Sequence, residues 1–173
     1  RLRLIGSHLA HLGLILLRLG HVLTTTLVDR ADPSHLVTLE KDNPVKFKEY
    51  ELTFSDTVLL SEEDPEYDYK IGDGFAGFVI EVTKDGEKVD EVTPGILRFS
   101  WTTTRSEVDR MVRPSGDMIF ILDQQQAEIS LTSMMRGETD EVEEIRVTVH
   151  DLRGSHLVWA GWSLIMLIEN KYH

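Results

Sequence analysis

The chain has 173 residues, with 30 Asp and Glu against 18 Lys and Arg, a net charge of −12 and no cysteine. That length holds one modest domain plus anchoring segments. The acidic balance excludes electrostatic binding of nucleic acid, which needs clustered cations, and the lack of cysteine excludes disulfides and thiol chemistry in any compartment.

The first element is an apolar run from Leu4 to Val28, 25 residues long. A helix rising 1.5 Å per residue needs roughly 20 residues to cross the hydrocarbon core of a bilayer, so this run predicts a transmembrane helix. Arg1 and Arg3 precede it, and Asp29 and Asp32 follow it. The positive-inside rule then places the N-terminus in the cytoplasm and the following domain outside. A cleaved signal sequence competes with this reading. The run exceeds a usual signal core, and Thr24-Thr25-Thr26-Leu27-Val28 offers no small-x-small cleavage site, so an uncleaved anchor is expected.

Within the run lie His8, His11, Arg18 and His21. At about 100° per residue, Ser7, His11, Arg18, His21 and Thr25 fall within about 40° either side of one line, while His8 lies off it. An arginine at mid-span costs at least a few kcal/mol against lipid, so it must face protein, water or an anionic group. His11 and Arg18 are two turns apart, about 10.5 Å along the axis. That spacing suits a ligand with a metal centre and an acidic edge. Haem is such a ligand, since its iron takes a neutral imidazole and its propionates take a cation. A helix packed in a polar bundle, its histidines hydrogen-bonded to neighbours, is the bland alternative.

The middle of the chain, residues 31–153, carries 13 Lys and Arg against 28 Asp and Glu, enough to attract basic partners. Its pattern switches from helical to alternating. Val45 to Phe54 reads as one half-buried strand, and further strands are expected at Leu36–Glu40, Phe75–Thr83, Lys88–Val92, Ile96–Thr103, Met118–Leu122, Ala127–Met134 and Val142–Val149. Lys84-Asp85-Gly86-Glu87 reads as a hairpin turn. Asn43-Pro44, Pro94-Gly95 and Pro114-Ser115-Gly116 punctuate the rest. The sum is a small antiparallel sandwich or barrel of about seven or eight strands.

Three local patterns within this region carry weaker signals. The acidic stretch Ser61 to Asp68 lacks the ligand alternation and central glycine of an EF-hand, so a solvated loop is expected. Gly72-Asp73-Gly74-Phe75-Ala76-Gly77 has spaced glycines but no following helix pattern, so it reads as a turn. Arg98, Arg105, Arg110 and Arg113 form a modest basic cluster that Glu107 and Asp109 can neutralise. No Ser-His-Asp or paired-carboxylate arrangement stands out.

Leu157 to Ile168 is a second apolar run of 12 residues, short for a full crossing, with Trp159 and Trp162 near its start and Tyr172 after it. Aromatic residues at its ends favour a membrane boundary over a buried core helix. The expected organisation is a transmembrane helix over residues 1–30, an extracytoplasmic acidic β domain over 31–153 and a C-terminal membrane helix over 154–173, with both termini cytoplasmic.

The order of these parts resembles a known family. A His-Leu-Gly membrane helix (Ala10-His11-Leu12-Gly13-Leu14), an outer β domain with Tyr50-Glu51-Leu52-Thr53-Phe54 and a last helix opening Val158-Trp159-Ala160-Gly161 are similar to the C-terminal part of the CcmF/CycK cytochrome c haem lyase family. Arg105-Ser106-Glu107-Val108-Asp109 and Asp117-Met118-Ile119-Phe120 also resemble stretches that precede the family's last helix. The resemblance implies haem attachment to apocytochromes outside the membrane and a haem b held between two histidines within it. By motif, His11 matches one of those ligands, and His8 is an extra candidate. His8 and His11 cannot grip one iron from opposite sides, because neighbours at i and i+3 approach from the same side. The family's other ligand, its tryptophan-rich segment and its two outer histidines have no counterpart here; Trp101, Trp159 and Trp162 are the only tryptophans.

The resemblance therefore implies a subunit of a split haem lyase at the cell membrane. Its cofactor is haem b, with His11 as iron ligand, Arg18 as propionate partner and His8 in reserve. Its expected partners are the subunits carrying the remaining ligands, a haem chaperone, apocytochrome c and membrane lipid. Two other readings compete: a membrane-anchored β scaffold without catalytic role, and a cleaved, secreted β domain.

Overall fold

The computed structural model describes residues 2–26, 28–29, 32–99 and 103–169. Trp101 and Tyr172 lie outside them. The elements in chain order are helix α1 (Leu2–His21), strands β1 (Leu36–Glu40), β2 (Val45–Phe47), β3 (Tyr50–Ser61), β4 (Gly74–Lys84), β5 (Glu87–Val92), β6 (Gly95–Phe99), β7 (Thr103–Glu107), β8 (Asp109–Met111) and β9 (Gly116–Leu122), helix α2 (Gln124–Met135), strand β10 (Glu144–Arg153) and helix α3 (Ser155–Glu169). The chain divides into two compact units. One comprises Arg1–Asp32, Val112–Met118 and Asp151–His173; the other comprises Pro33–Met111 and Ile119–His150.

In the first unit, α1 runs on through a π-helical turn, Val22–Thr26. Threonine hydroxyls reach back to carbonyls one turn earlier, Thr24 to Gly20 at 2.9 Å and Thr25 to His21 at 2.6 Å, which suits a last turn wound wider than α. Gly6–Thr26 is 21 residues of apolar helix, about 31 Å long and enough to cross a membrane. Only 17% of that stretch is buried, whereas a helix in the core of a water-soluble protein is mostly covered.

α3 packs antiparallel on α1 through glycines. A methyl group added at Gly13 would sit 2.9 Å from the carbonyl oxygen of Gly161, and one at Gly20 would sit 2.6 Å from the amide nitrogen of Val158. Backbone therefore meets backbone, the close approach that small residues permit between membrane helices. Next to α3 lies a buried ion pair between Arg113 and Asp151. Arg113 Nε also donates to the Gly116 carbonyl at 3.1 Å, and Arg153 Nε donates to Asp151 at 3.1 Å. The buried Ser155 hydroxyl, in the first turn of α3, accepts the Asp117 N–H at 2.9 Å.

The β strands form two antiparallel sheets, four strands in the order β1-β10-β9-β8 and six with the path β2-β3-β4-β6-β7, β5 pairing with β4. The fold is thus mainly antiparallel β with apolar helices at either end of the described chain. Inward-facing residues at alternate positions, among them Leu52, Phe54, Phe78, Ile80, Leu97 and Ile145, are sealed from solvent and make the core of the second unit. Phe54 and Phe78 meet edge to face at 5.8 Å. Lys84 pairs with Glu87 across a two-residue turn in which Asp85 and Gly86 both have positive φ, as the Asp-Gly signal requires.

Four expectations are corrected. Val45 to Phe54 is a hairpin of β2 and β3, with Phe47 opposite Tyr50 and Lys48 at φ 56° in the turn. The apolar phase slips by one residue between Phe47 and Tyr50, and that slip is the turn. Ala127–Met134 lies in α2, not in a strand. Asp123 caps the helix by accepting the Gln126 N–H, Ala127 is buried, and Leu131 and Met134 are half-buried one and two turns on, a helical spacing that outweighs the alternation of Ala127, Ile129 and Leu131. The expected Ile96–Thr103 strand ends as β6 at Phe99, and Thr103 opens β7. The strand count is ten among the described residues, because Val45–Phe54 makes two strands and the charged stretches β7 and β8 pair as well, while α2 takes the place of one.

Candidate functional site

Leucine, alanine and arginine are strong helix formers, and no proline interrupts α1, so its polar residues hold fixed angles around the axis. Gly13, Gly20 and the buried Thr24 face α3. Ser7, His11, Arg18, His21 and Thr25 lie roughly a third of a turn away and are exposed. The wheel drawn from the sequence therefore describes a polar stripe that α3 leaves open.

On that stripe, the imidazole of His11 is oriented by its own helix. Its Nδ1 lies 2.7 Å from the carbonyl oxygen of Ser7, one turn earlier. A carbonyl only accepts, so Nδ1 carries the proton, and in the neutral ring Nε2 keeps its lone pair for an outside partner. Metal-binding histidines use this arrangement, one nitrogen hydrogen-bonded and the other on the metal. His8, also exposed, lies about 60° around the helix from His11, so the two share one side of any ligand.

Arg18 is exposed, two turns beyond His11. It stands about 18 Å along the axis from Gly6 and about 12 Å from Thr26, the ends of the apolar span. Helical side chains lean toward the N-terminus, which is the more distant end, so in a bilayer snorkelling would carry the guanidinium along the longer path to water. In a bilayer its charge needs an anionic or strongly polar partner at that depth.

Among the described residues, no three His, Asp or Glu side chains gather as a metal site. A haem site does not require such a group, because the macrocycle fills four positions on the iron and the protein supplies only axial ligands. One open imidazole with a cation two turns along fits haem's donor set and acidic edge.

The other motifs resolve into local structure. Arg98 pairs with Asp73 at 2.9 Å, Arg105 with Glu107 and Arg113 with Asp151, so these three arginines are each held by a carboxylate. Asp64 accepts the N–H of Ser61 at 2.6 Å and its hydroxyl at 2.9 Å, and these bonds hold its carboxyl below the usual range. Gly72 adopts φ 93 in the turn before β4. In the second unit the rings of His35 and His150 meet edge to face at 5.1 Å, while His156 is exposed at the start of α3.

Sequence reasoning missed two arrangements. Gly6, Gly13 and Gly20 recur every seven residues, a signal for a helix-packing face that was available in the sequence. Thr104 of β7 donates to Glu128 of α2, and Gln124 Nε2 donates to both, at 2.7 and 2.9 Å. Comparison with protein-family models, with curated proteins and with solved structures finds no match to this chain.

Proposed function

We propose that this chain is a subunit of a membrane cytochrome c haem lyase, anchored by α1 and α3, with the acidic β unit outside the membrane. The observation that carries the reading is His11, exposed on the face α3 leaves open, its Nδ1–H tied to Ser7 and its Nε2 available, with Arg18 two turns on. His11 ligates the iron of a haem b, Arg18 neutralises a propionate, and His8 lies on the same side as His11. Bound haem b supplies a one-electron carrier for the iron of incoming haem. A second ligand for the iron would come from outside these 173 residues. The acidic unit, whose surplus of carboxylates suits a basic client, docks apocytochrome c or the haem chaperone.

The test is the spectrum of the complex purified from membranes through a tag on this chain. A Soret band is expected, lost or shifted in His11→Ala and unmoved in position in His21→Ala. A spectrum unchanged by His11→Ala overturns the ligand assignment.

A further inference from the structure

The haem reading uses His11 and Arg18 but leaves His21 unexplained. His21 is exposed on the same stripe, about 4.5 Å along the axis and about 60° around it from Arg18. Resting on that reading, we propose that Arg18 and His21 together hold the two carboxylates of one macrocycle, so that its acidic edge points toward the end of α1 that leads into the β unit. The two donors lie about 10.5 and about 15 Å beyond His11 in the same direction.

Three features of α1 favour this orientation. Thr25, also on the stripe, donates its hydroxyl to the His21 carbonyl at 2.6 Å, so among the described residues of the stripe the His21 ring is the outermost side-chain donor left for a ligand. Leu14 occupies the stripe between His11 and Arg18 and is 50% exposed, an apolar surface for the body of a flat macrocycle. Toward the other end, the cation in phase by sequence position is Arg3, which precedes the apolar span. A ligand turned the other way would leave Arg18 uncompensated in the bilayer.

The test uses the full chain in lipid nanodiscs, with imidazole in the buffer to supply the missing axial ligand, titrated with haemin and with haemin dimethyl ester. The ester keeps the iron and loses the carboxylates. Wild type is expected to prefer haemin over the ester. Arg18→Gln and His21→Gln are each expected to weaken haemin about tenfold, the loss of one charge-assisted bond, while leaving ester affinity and the Soret position unchanged. Arg3→Gln is expected to change neither. Equal affinity of wild type for haemin and ester, or a loss confined to Arg3→Gln, overturns the orientation, while a His11→Ala shift in the purified complex without added imidazole upholds the iron ligand. Failure of wild type to bind either probe overturns both.

Discussion

At the scale of single residues, burial decides which charges matter. Arg113 and Asp151 have side chains 7% and 2% exposed, so removing either partner strands a buried charge. Asp151→Asn or Arg113→Leu should destabilise the chain by about 3 kcal/mol, read as a lowered thermal midpoint in detergent. Exposed pairs such as Lys88 with Glu81 and Glu91 should contribute far less, and Lys88→Ala should leave the midpoint nearly unmoved. Glu128 behaves differently again. Hydrogen bonds from Thr104 and then Gln124 hold its carboxyl below the ordinary glutamate range. Because its folded-state value is depressed, its stabilising contribution is present above the unfolded glutamate value and is lost as pH falls through the folded one. Thr104→Val should therefore move the Glu128 titration upward, as followed by its carboxyl carbon shift in NMR, and Glu128→Gln should flatten the acid limb of stability. The stripe on α1 was legible in the sequence because one helical period places Ser7, His11, Arg18, His21 and Thr25 together. The Arg113–Asp151 pair was not, since its partners stand 38 residues apart and only the folded chain joins them.

At the scale of elements, α2 shows how a local signal can be outvoted. Ile129, Leu131 and Thr132 resemble a strand, yet Ile129 is 61% exposed, as expected for the outer face of a helix. The cap at Asp123 and the spacing of Ala127, Leu131 and Met134 determine the outcome. Asp123→Ala should cost about 1 kcal/mol, measurable by denaturant unfolding. Gln126 adds a tie of its own, donating to the Glu144 carbonyl at 2.8 Å and accepting the Arg146 N–H at 3.2 Å, so its amide pairs with β10 as a neighbouring strand would. The β2–β3 turn was readable in principle from the phase slip after Phe47. The split of β6 from β7 was not, because Ile96 to Thr103 carries no glycine or proline to mark it. In the helical unit, Gly161→Val should force α1 and α3 apart, since the added carbons would meet the backbone at Gly13 and Leu17. A loss of about 1–3 kcal/mol is expected, seen as a lower melting temperature in nanodiscs, with Ala160→Val, at an exposed neighbouring position, as the harmless control.

For the whole molecule, the mainly antiparallel β fold and the long N-terminal apolar helix were both legible in the sequence patterning. The membrane reading rests on an N-terminal helix long enough to cross and largely uncovered, and on Trp159 and Trp162, which are 60% and 49% exposed on α3. If α3 lies in lipid, brominated lipids should quench those indoles, as read in a variant with Trp101 changed to Phe. The proposed function rests on a narrower point, that the imidazole of His11 would hold iron. Replacing His11 by glycine in the purified complex removes the ring and leaves a hole that free imidazole can fill. The account expects His11→Gly to displace the Soret band and added imidazole to restore it. A His11→Gly complex with the wild-type spectrum, indifferent to imidazole, would contradict it.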